Sequence, residues 1–354
     1  MMTIRPRIPL CGILRLALFL MTTMALVVSR TSYKYRYVQR LNPKQANWLK
    51  TLQTTTRRSR RTEGTMSAST TPTNGNDSNN NNVISTIIFD VDDTLYDVSC
   101  GFTKHRNGEI VQQYMVDHLK FNTLQEAKAV RDEYFVKYHA TAKALTVAQQ
   151  EGKFPKDAPI FDTKHLAEYW ANNLDYTKLG TPKTIEFINT LKTLQSDSGI
   201  TLVAFSNGPR AYVKRVLQYI GMFDLFGEER LYAVDDVLPY CKPEPEAFQK
   251  IFNNIGCTAP ETCVMVEDSM KNIRAAKQLG MKTLLVTGKQ IDESSNGDNR
   301  ILPDDCPLTS DPNVDCSIPV IEDITKVLPG LWINKADDDN GNSNAKPIFN
   351  PIIV

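Results

Sequence analysis

Val83-Ile84-Ser85-Thr86-Ile87-Ile88-Phe89-Asp90-Val91-Asp92-Asp93-Thr94-Leu95-Tyr96 is the stretch on which the reading of this chain turns. Residues 83–89 are a β-branched and apolar run suited to a strand buried on both faces, and the run stops abruptly at a cluster of carboxylates. A strand buried on both faces belongs in a parallel sheet covered by helices. In such sheets ligands collect outside the carboxyl ends of the strands, so Asp90 and Asp92 leave the strand where chemistry is expected.

Downstream, residues 101–178 read as helices, with Ile110, Val111, Tyr114, Met115 and Leu119, then Val130, Tyr134, Phe135 and Tyr138, recurring at helical spacing. Strand and helix alternate after that: helix 182–194, strand 199–205, helix 211–220, short strand 230–234, helix 244–255, strand 263–266, helix 272–279 and strand 283–286. Alternation of this kind implies an α/β, doubly wound parallel sheet, with 83–98 and 180–333 as the core and 99–179 as an inserted α-helical cap, a candidate lid. Residues 288–313 read as an extended loop, 315–331 as a short strand followed by a helix over 319–328, and 334–354 as a disordered tail.

Upstream, residues 63–82 turn to Ser, Thr, Asn, Gly and Pro and read as a solvated linker. Residues 1–62 carry thirteen Lys and Arg and no Asp or Glu, around a nearly continuous apolar segment at 16–28. A secretory signal, an uncleaved anchor touching the membrane through 8–28 and an organelle transit sequence all fit this leader, and a start at Met66 would leave a cytoplasmic chain. Beyond the leader, 28 basic residues face 40 acidic ones, so the body is acidic. It lacks the electrostatic footprint of a nucleic-acid binder, and a phosphate must be held locally by a metal or a few placed donors. The seven cysteines show no metal-site spacing and read mostly as buried thiols, with Cys306 and Cys316 able to pair in an oxidising compartment.

Applying the strand-end rule along the chain selects Asp90 and Asp92, then Ser206-Asn207-Gly208, then Glu267-Asp268, with Lys242 just before a helix that begins near Glu244. Carboxylates gathered from two strand ends make a hard, all-oxygen site suited to Mg2+. A carboxylate nucleophile, Asp90, can displace an alcohol from a phosphate monoester, while Asp92 protonates the leaving oxygen and then activates water. Lys242 would neutralise phosphoryl charge, and Ser206 and Thr94 would donate hydrogen bonds to it. Taken singly, each stretch has a plainer explanation: an acidic turn, a Gly-Pro turn, a solvated lysine, a helix cap. A calcium loop is disfavoured, since Leu95 stands where a sixth-position glycine belongs and Gly101 where a twelfth-position glutamate belongs.

The four stretches in this order resemble the haloacid dehalogenase superfamily, over residues 84–333. The resemblance implies a Rossmann-like core, Asp90 as nucleophile, Asp92 as acid/base, and magnesium held by the Asp90 side chain, the Asp92 backbone carbonyl and Asp268, with Glu267 direct or through water. Finer texture, in Asp93-Thr94-Leu95-Tyr96, Ser206-Asn207-Gly208-Pro209-Arg210-Ala211, Cys241-Lys242-Pro243 and Leu328-Pro329-Gly330-Leu331-Trp332, is similar to the pyrimidine 5'-nucleotidase group, which implies UMP or CMP as substrate. The loop 97–107, with Lys104, His105 and Arg106, is the expected place for substrate contacts. Tyr114, Tyr134, Tyr138, Tyr169 and Trp170 could stack on a base, although at helical spacing aromatic residues more often form core. Alternatives are a phosphosugar or phosphoglycolate-type phosphatase or mutase on the same core, and a non-catalytic, membrane-tethered binding module.

Overall fold

The structure is a computed structural model that describes residues 82–289, 307–332 and 346–352. The basic leader with its apolar segment at 16–28, the linker and Cys306 lie outside these residues, and among the described residues no helix is long and apolar enough to cross a membrane. Six strands form one sheet in the order β3-β2-β1-β4-β5-β6: β1 is Thr86–Phe89, β2 Thr201–Phe205, β3 Leu231–Tyr232, β4 Cys263–Glu267, β5 Lys282–Val286 and β6 Cys316–Ile318. Every neighbouring pair is parallel. After β1 the chain builds outward through β2 and β3, then returns to lay β4 against the other edge of β1. The order of strands reverses at that crevice, and it opens where Asp90 and Glu267 end their strands.

Side-chain alternation along β1 explains why the sheet needs helices on both faces. Ile87 and Phe89 join one apolar core with Leu202, Ala204, Val264 and Val266, while Ile88 joins the other with Val203, Phe205 and Met265. The first core is closed by α5 (Ile185–Ser196) and α6 (Arg210–Tyr219), the second by α7 (Pro245–Asn254) and α8 (Met270–Gln278). Ile87, Ile88 and Phe89 are wholly buried, each worth about 1.5–3 kcal/mol over exposure, which anchors the strand that carries the acidic turn.

Between β1 and β2 the chain is helical: a turn at Phe102–His105 runs through a π-helical turn at Arg106–Ile110 into α1 (Val111–Leu119), followed by α2 (Leu124–Tyr138), α3 (Thr141–Gln150) and α4 (Thr163–Asn173). Thr123 caps α2 by accepting from the Glu126 N–H, and Asp162 caps α4 from the Lys164 N–H. Tyr114, Tyr134 and Trp170 are buried among these helices, so they build the interior of the segment and offer no open stacking face.

Two expectations near the carboxyl end are corrected. The helix expected over 319–328 is broken into a 3-10 turn at Ile321–Asp323 and one α-turn at Ile324–Val327. Its Val320, Ile321, Ile324 and Val327 are β-branched, and Pro329 closes off any continuation. The tail 334–354 was expected to be disordered, yet residues 346–352 return to the core. Val83 and Ile348 form an antiparallel bridge, the Ile84 N–H donates to the Pro347 carbonyl at 2.9 Å, and Phe349 is buried. Gly330 allows this approach, since a Cβ there would lie 2.9 Å from the Ile348 carbonyl oxygen.

Candidate active site

Asp90 is delivered by β1 and locked in place when its N–H donates to the Val266 carbonyl of β4 at 2.9 Å. Register does the rest: Phe89 pairs with Val266, so Asp90 stands level with Glu267 and next to Asp268. One carboxylate oxygen from each of Asp90, Glu267 and Asp268 lies within 4.8 Å of the others. Asp93 takes a positive φ of 59°, a conformation that Asp tolerates better than most residues, and so turns the chain sharply as it leaves the strand.

Lys242 enters this cluster from the loop before α7 and is 1% exposed. Its Nζ donates to Asp90 Oδ1 at 2.6 Å, to Glu267 Oε2 at 2.8 Å and to the Phe205 carbonyl at the end of β2 at 2.8 Å. Asn207 holds this lysine's backbone: its Oδ1 accepts from the Lys242 N–H and its Nδ2 donates to the Lys242 carbonyl, each at 2.8 Å. Thr94 makes its contacts with carboxylates of the same cluster. Its hydroxyl is buried and donates to Asp90 Oδ2 at 3.2 Å and Asp268 Oδ1 at 3.4 Å, bracing the carboxylates from behind. Burial raises Asp90 to about 7, with repulsion from Glu267 adding to it and Lys242 opposing. Glu267 is also raised to about 7, again first by burial. Lys242 is pushed above its ordinary value because attraction to the two carboxylates outweighs its own burial.

Asp92 points the other way, into a cage of donors. Tyr96 and Tyr212 donate their hydroxyls to Oδ1 at 2.7 and 2.5 Å, while Arg106 Nη1 and Ser206 Oγ donate to Oδ2 at 2.7 and 3.3 Å. Burial alone would raise this carboxyl. The Arg106 charge and the hydrogen bonds from Tyr212, Arg106 and Tyr96 overcome it and hold Asp92 below the usual carboxylate range. Ser206 therefore faces Asp92, and its oxygen accepts from the Gly208 N–H at 2.9 Å.

The expected substrate loop dissolves into different roles. Residues 102–110 form helical turns with a kink at Gly108, and the wholly buried Phe102 and the partly packed Ile110 draw the segment inward against one core. Arg106 is buried on Asp92 and Tyr212, with its guanidinium 4.8 Å from the Tyr212 ring centre and 5.4 Å from that of Trp170. His105 accepts from the Asp175 N–H at 3.3 Å, and Lys104 is exposed. The strand-end rule passed over Tyr96 and Tyr212. Tyr96 stands in the opening stretch four residues beyond Asp92, and the tight turn between them brings its hydroxyl back to that carboxylate. Nothing in the sequence singles out Tyr212.

All-oxygen carboxylates converging with a buried lysine fit a hard divalent cation. Residues 84–280 match the family described as haloacid dehalogenase-like hydrolase. The chain is 32% identical to the phosphoglycolate phosphatase of Psychrobacter arcticus over 31% of this chain and 46% of the relative, so the match spans less than half of that enzyme. It is 28% identical to the glyceraldehyde 3-phosphate phosphatase of Methanothermobacter thermautotrophicus, over 58% of this chain and 87% of the relative. Among solved structures, a phosphatase from Thermococcus onnurineus aligns with a TM-score of 0.45 at 20% identity, over 71% of this chain and all of the other.

Proposed function

The chain belongs to the haloacid dehalogenase-like hydrolase family, and from that premise we propose that it is a magnesium-dependent phosphatase that hydrolyses phosphate monoesters through a phosphorylated Asp90. The observation that carries this reading is the meeting of Asp90, Glu267 and Asp268 within 4.8 Å, with Lys242 Nζ 2.6 Å from the Asp90 carboxylate. Magnesium would be held by Asp90, the Asp92 backbone carbonyl and Asp268, with Glu267 behind them, and would supply the countercharge that lets a carboxylate approach a phosphate dianion.

Asp90 attacks phosphorus, the bond from phosphorus to the alcohol oxygen breaks, and that oxygen takes a proton. Water then attacks phosphorus, the bond to Asp90 breaks, and inorganic phosphate leaves. Lys242 keeps the buried Asp90 and Glu267 charges tolerable and stands beside the phosphoryl position. Asp92 handles the protons. To do so it must enter the cycle protonated, give that proton to the leaving oxygen and take one back from the attacking water; because its donor cage favours the anion, loading the proton requires one of those donors to turn away.

Within this class, the motif texture favours pyrimidine nucleoside 5'-monophosphates such as UMP and CMP, with the helices between β1 and β2 as the cap. A second reading, a phosphoglycolate-type or phosphosugar phosphatase, draws on the kind of enzyme the relatives are. The test is a panel of UMP, CMP, 2-phosphoglycolate and an aryl phosphate, with purified chain and magnesium, scored by release of inorganic phosphate. Silence toward all of them refutes the phosphatase reading, and the ranking of rates chooses between the two substrate readings.

A further inference from the structure

Cys257 and Cys263 are six residues apart, and their sulfurs lie 3.3 Å from each other. Other thiols of the core meet backbone. Cys316, a candidate partner for Cys306 by sequence, donates to the Thr283 carbonyl at 3.9 Å, and Cys241 donates to that of Tyr138 at 3.3 Å. Cys257 and Cys263 instead set sulfur against sulfur.

The turn that joins α7 to β4 brings them together. After α7 ends at Asn254, Gly256 takes a positive φ of 69° and the Cys257 N–H donates to the Phe252 carbonyl at 2.8 Å, a glycine-capped helix end that folds the chain back. Cys263 then opens β4 opposite Thr86 of β1. The turn Pro260–Thr262 between the two cysteines is held to the sheet, since the Ser85 N–H donates to the Thr262 carbonyl at 2.9 Å and the Ser85 and Thr262 hydroxyls meet at 2.8 Å.

The two sulfurs differ in access. Cys257 is half-buried and open to solvent on one side, whereas Cys263 is wholly buried. Burial, reinforced by Cys257, pushes the Cys263 thiol up and keeps it protonated, while the Thr86 and Thr262 hydroxyls hydrogen-bond its sulfur and oppose this. Two sealed thiols would be inert core. One reachable thiol with a second waiting behind it is the arrangement of an attacking and a resolving cysteine.

We propose that Cys257 and Cys263 form a redox modification site, which a small-molecule disulfide such as oxidised glutathione converts reversibly into an internal disulfide that staples α7 to β4. The Cys257 thiolate attacks one glutathione sulfur, the glutathione S–S bond breaks, one glutathione leaves and a mixed disulfide forms on Cys257. The Cys263 sulfur then attacks the Cys257 sulfur, the mixed bond breaks and the second glutathione leaves. Both cysteine protons end on the two glutathione thiols, so two electrons pass from the protein to the reagent. The staple sits at the start of β4, four residues or about 13 Å along the strand from Glu267. It therefore acts on stability and stands apart from the phosphatase reading.

The full chain is reduced, freed of reductant, exposed to oxidised glutathione, then denatured in iodoacetamide and cut with trypsin. Both cysteines fall in the peptide 251–271. Its expected mass is two hydrogens below the reduced form, with no alkyl group, and dithiothreitol should restore alkylation of both cysteines. Cys263→Ala is expected to stop at a glutathione adduct on Cys257, because the resolving sulfur is gone. Oxidation should also raise the melting temperature of the wild-type chain by about 5 °C, as closure of a loop this short predicts, and Cys257→Ser should lack that rise. Full alkylation of both cysteines after glutathione, or an adduct that persists on wild-type Cys257, overturns the proposal. So does a rise in melting temperature that survives in Cys257→Ser. The wild-type peptide decides the matter even where a variant fails to fold.

Discussion

Asp90 and Asp92 are two residues apart, one buried and the other half-buried, yet it is the buried carboxyl that is raised to about 7 while the other is held below its ordinary range. The Asp90 side gathers like charges, with Glu267 and Asp268 crowding one lysine. The Asp92 side gathers donors, with one guanidinium and three hydroxyls around one carboxylate. A crowded anionic pocket stores repulsion that a cation relieves, whereas a donor cage is already satisfied. Carboxylates whose surroundings push them apart in this way are suited to different tasks, which fits the proposed split between an attacking Asp90 and a proton-handling Asp92.

The largest expected effect comes from removing the attacking group. Asp90→Asn should lower kcat by about 10^4-fold or more with the circular dichroism spectrum unchanged, as when a nucleophile is lost elsewhere. Retained turnover would mean that Asp90 is not the nucleophile. Lys242→Met should strike the same pocket through stability. Stranding two buried carboxylates costs on the order of 3–5 kcal/mol, and the loss should be greater at pH 8 than at pH 6, because protonation of Asp90 and Glu267 relieves it. Urea unfolding at the two pH values checks both statements.

The donor cage is probed through Gly208, where a Cβ would fall 2.9 Å from the Tyr212 ring. Gly208→Ala should displace Tyr212 from Asp92, cost about 1–3 kcal/mol of stability, and lower kcat more than it raises KM. A smaller effect separates the two pockets by pH. Asp90 and Glu267 have folded values near 7, above their unfolded ones, so their contribution to stability is present below about pH 4 and is lost as the pH rises through about 7. Asp92 has the opposite sign, since its lowered value makes a contribution that is lost in acid. Magnesium should therefore raise the melting temperature more at pH 8 than at pH 5.5, approaching about 3 kcal/mol at a hundredfold excess over Kd. A magnesium shift that is the same at both pH values would count against the crowded-anion account.

Asp90, Glu267 and Asp268 were legible in the sequence because each directly follows a buried apolar run, and the end of a strand is a local feature. Lys242 announced itself only as a lysine before a helix, and its worth lies in three partners that are 25 to 152 residues away. Thr94, Ser206 and Asn207 lie beside the carboxylates and the lysine, and the sequence does not name their partners. A hydroxyl or amide binds whatever the packed neighbours present, and no sequence spacing reveals that. Arg106 is the sharpest case: expected on a substrate loop, it is buried against Asp92 because Phe102 is wholly buried and Ile110 packs against the core beside it.

By itself the sequence determined the alternation of strands and helices and the carboxylates at strand ends, since both follow from hydrophobic period and from where each apolar run stops. Only the tertiary structure decided that β4 lies beside β1 in a register that sets Asp90 against Glu267, and that the donors around Asp92 come from Tyr96, Arg106, Ser206 and Tyr212. Those choices depend on long-range pairing and side-chain packing. They give two aspartates in one turn surroundings that their own neighbours in the chain do not specify.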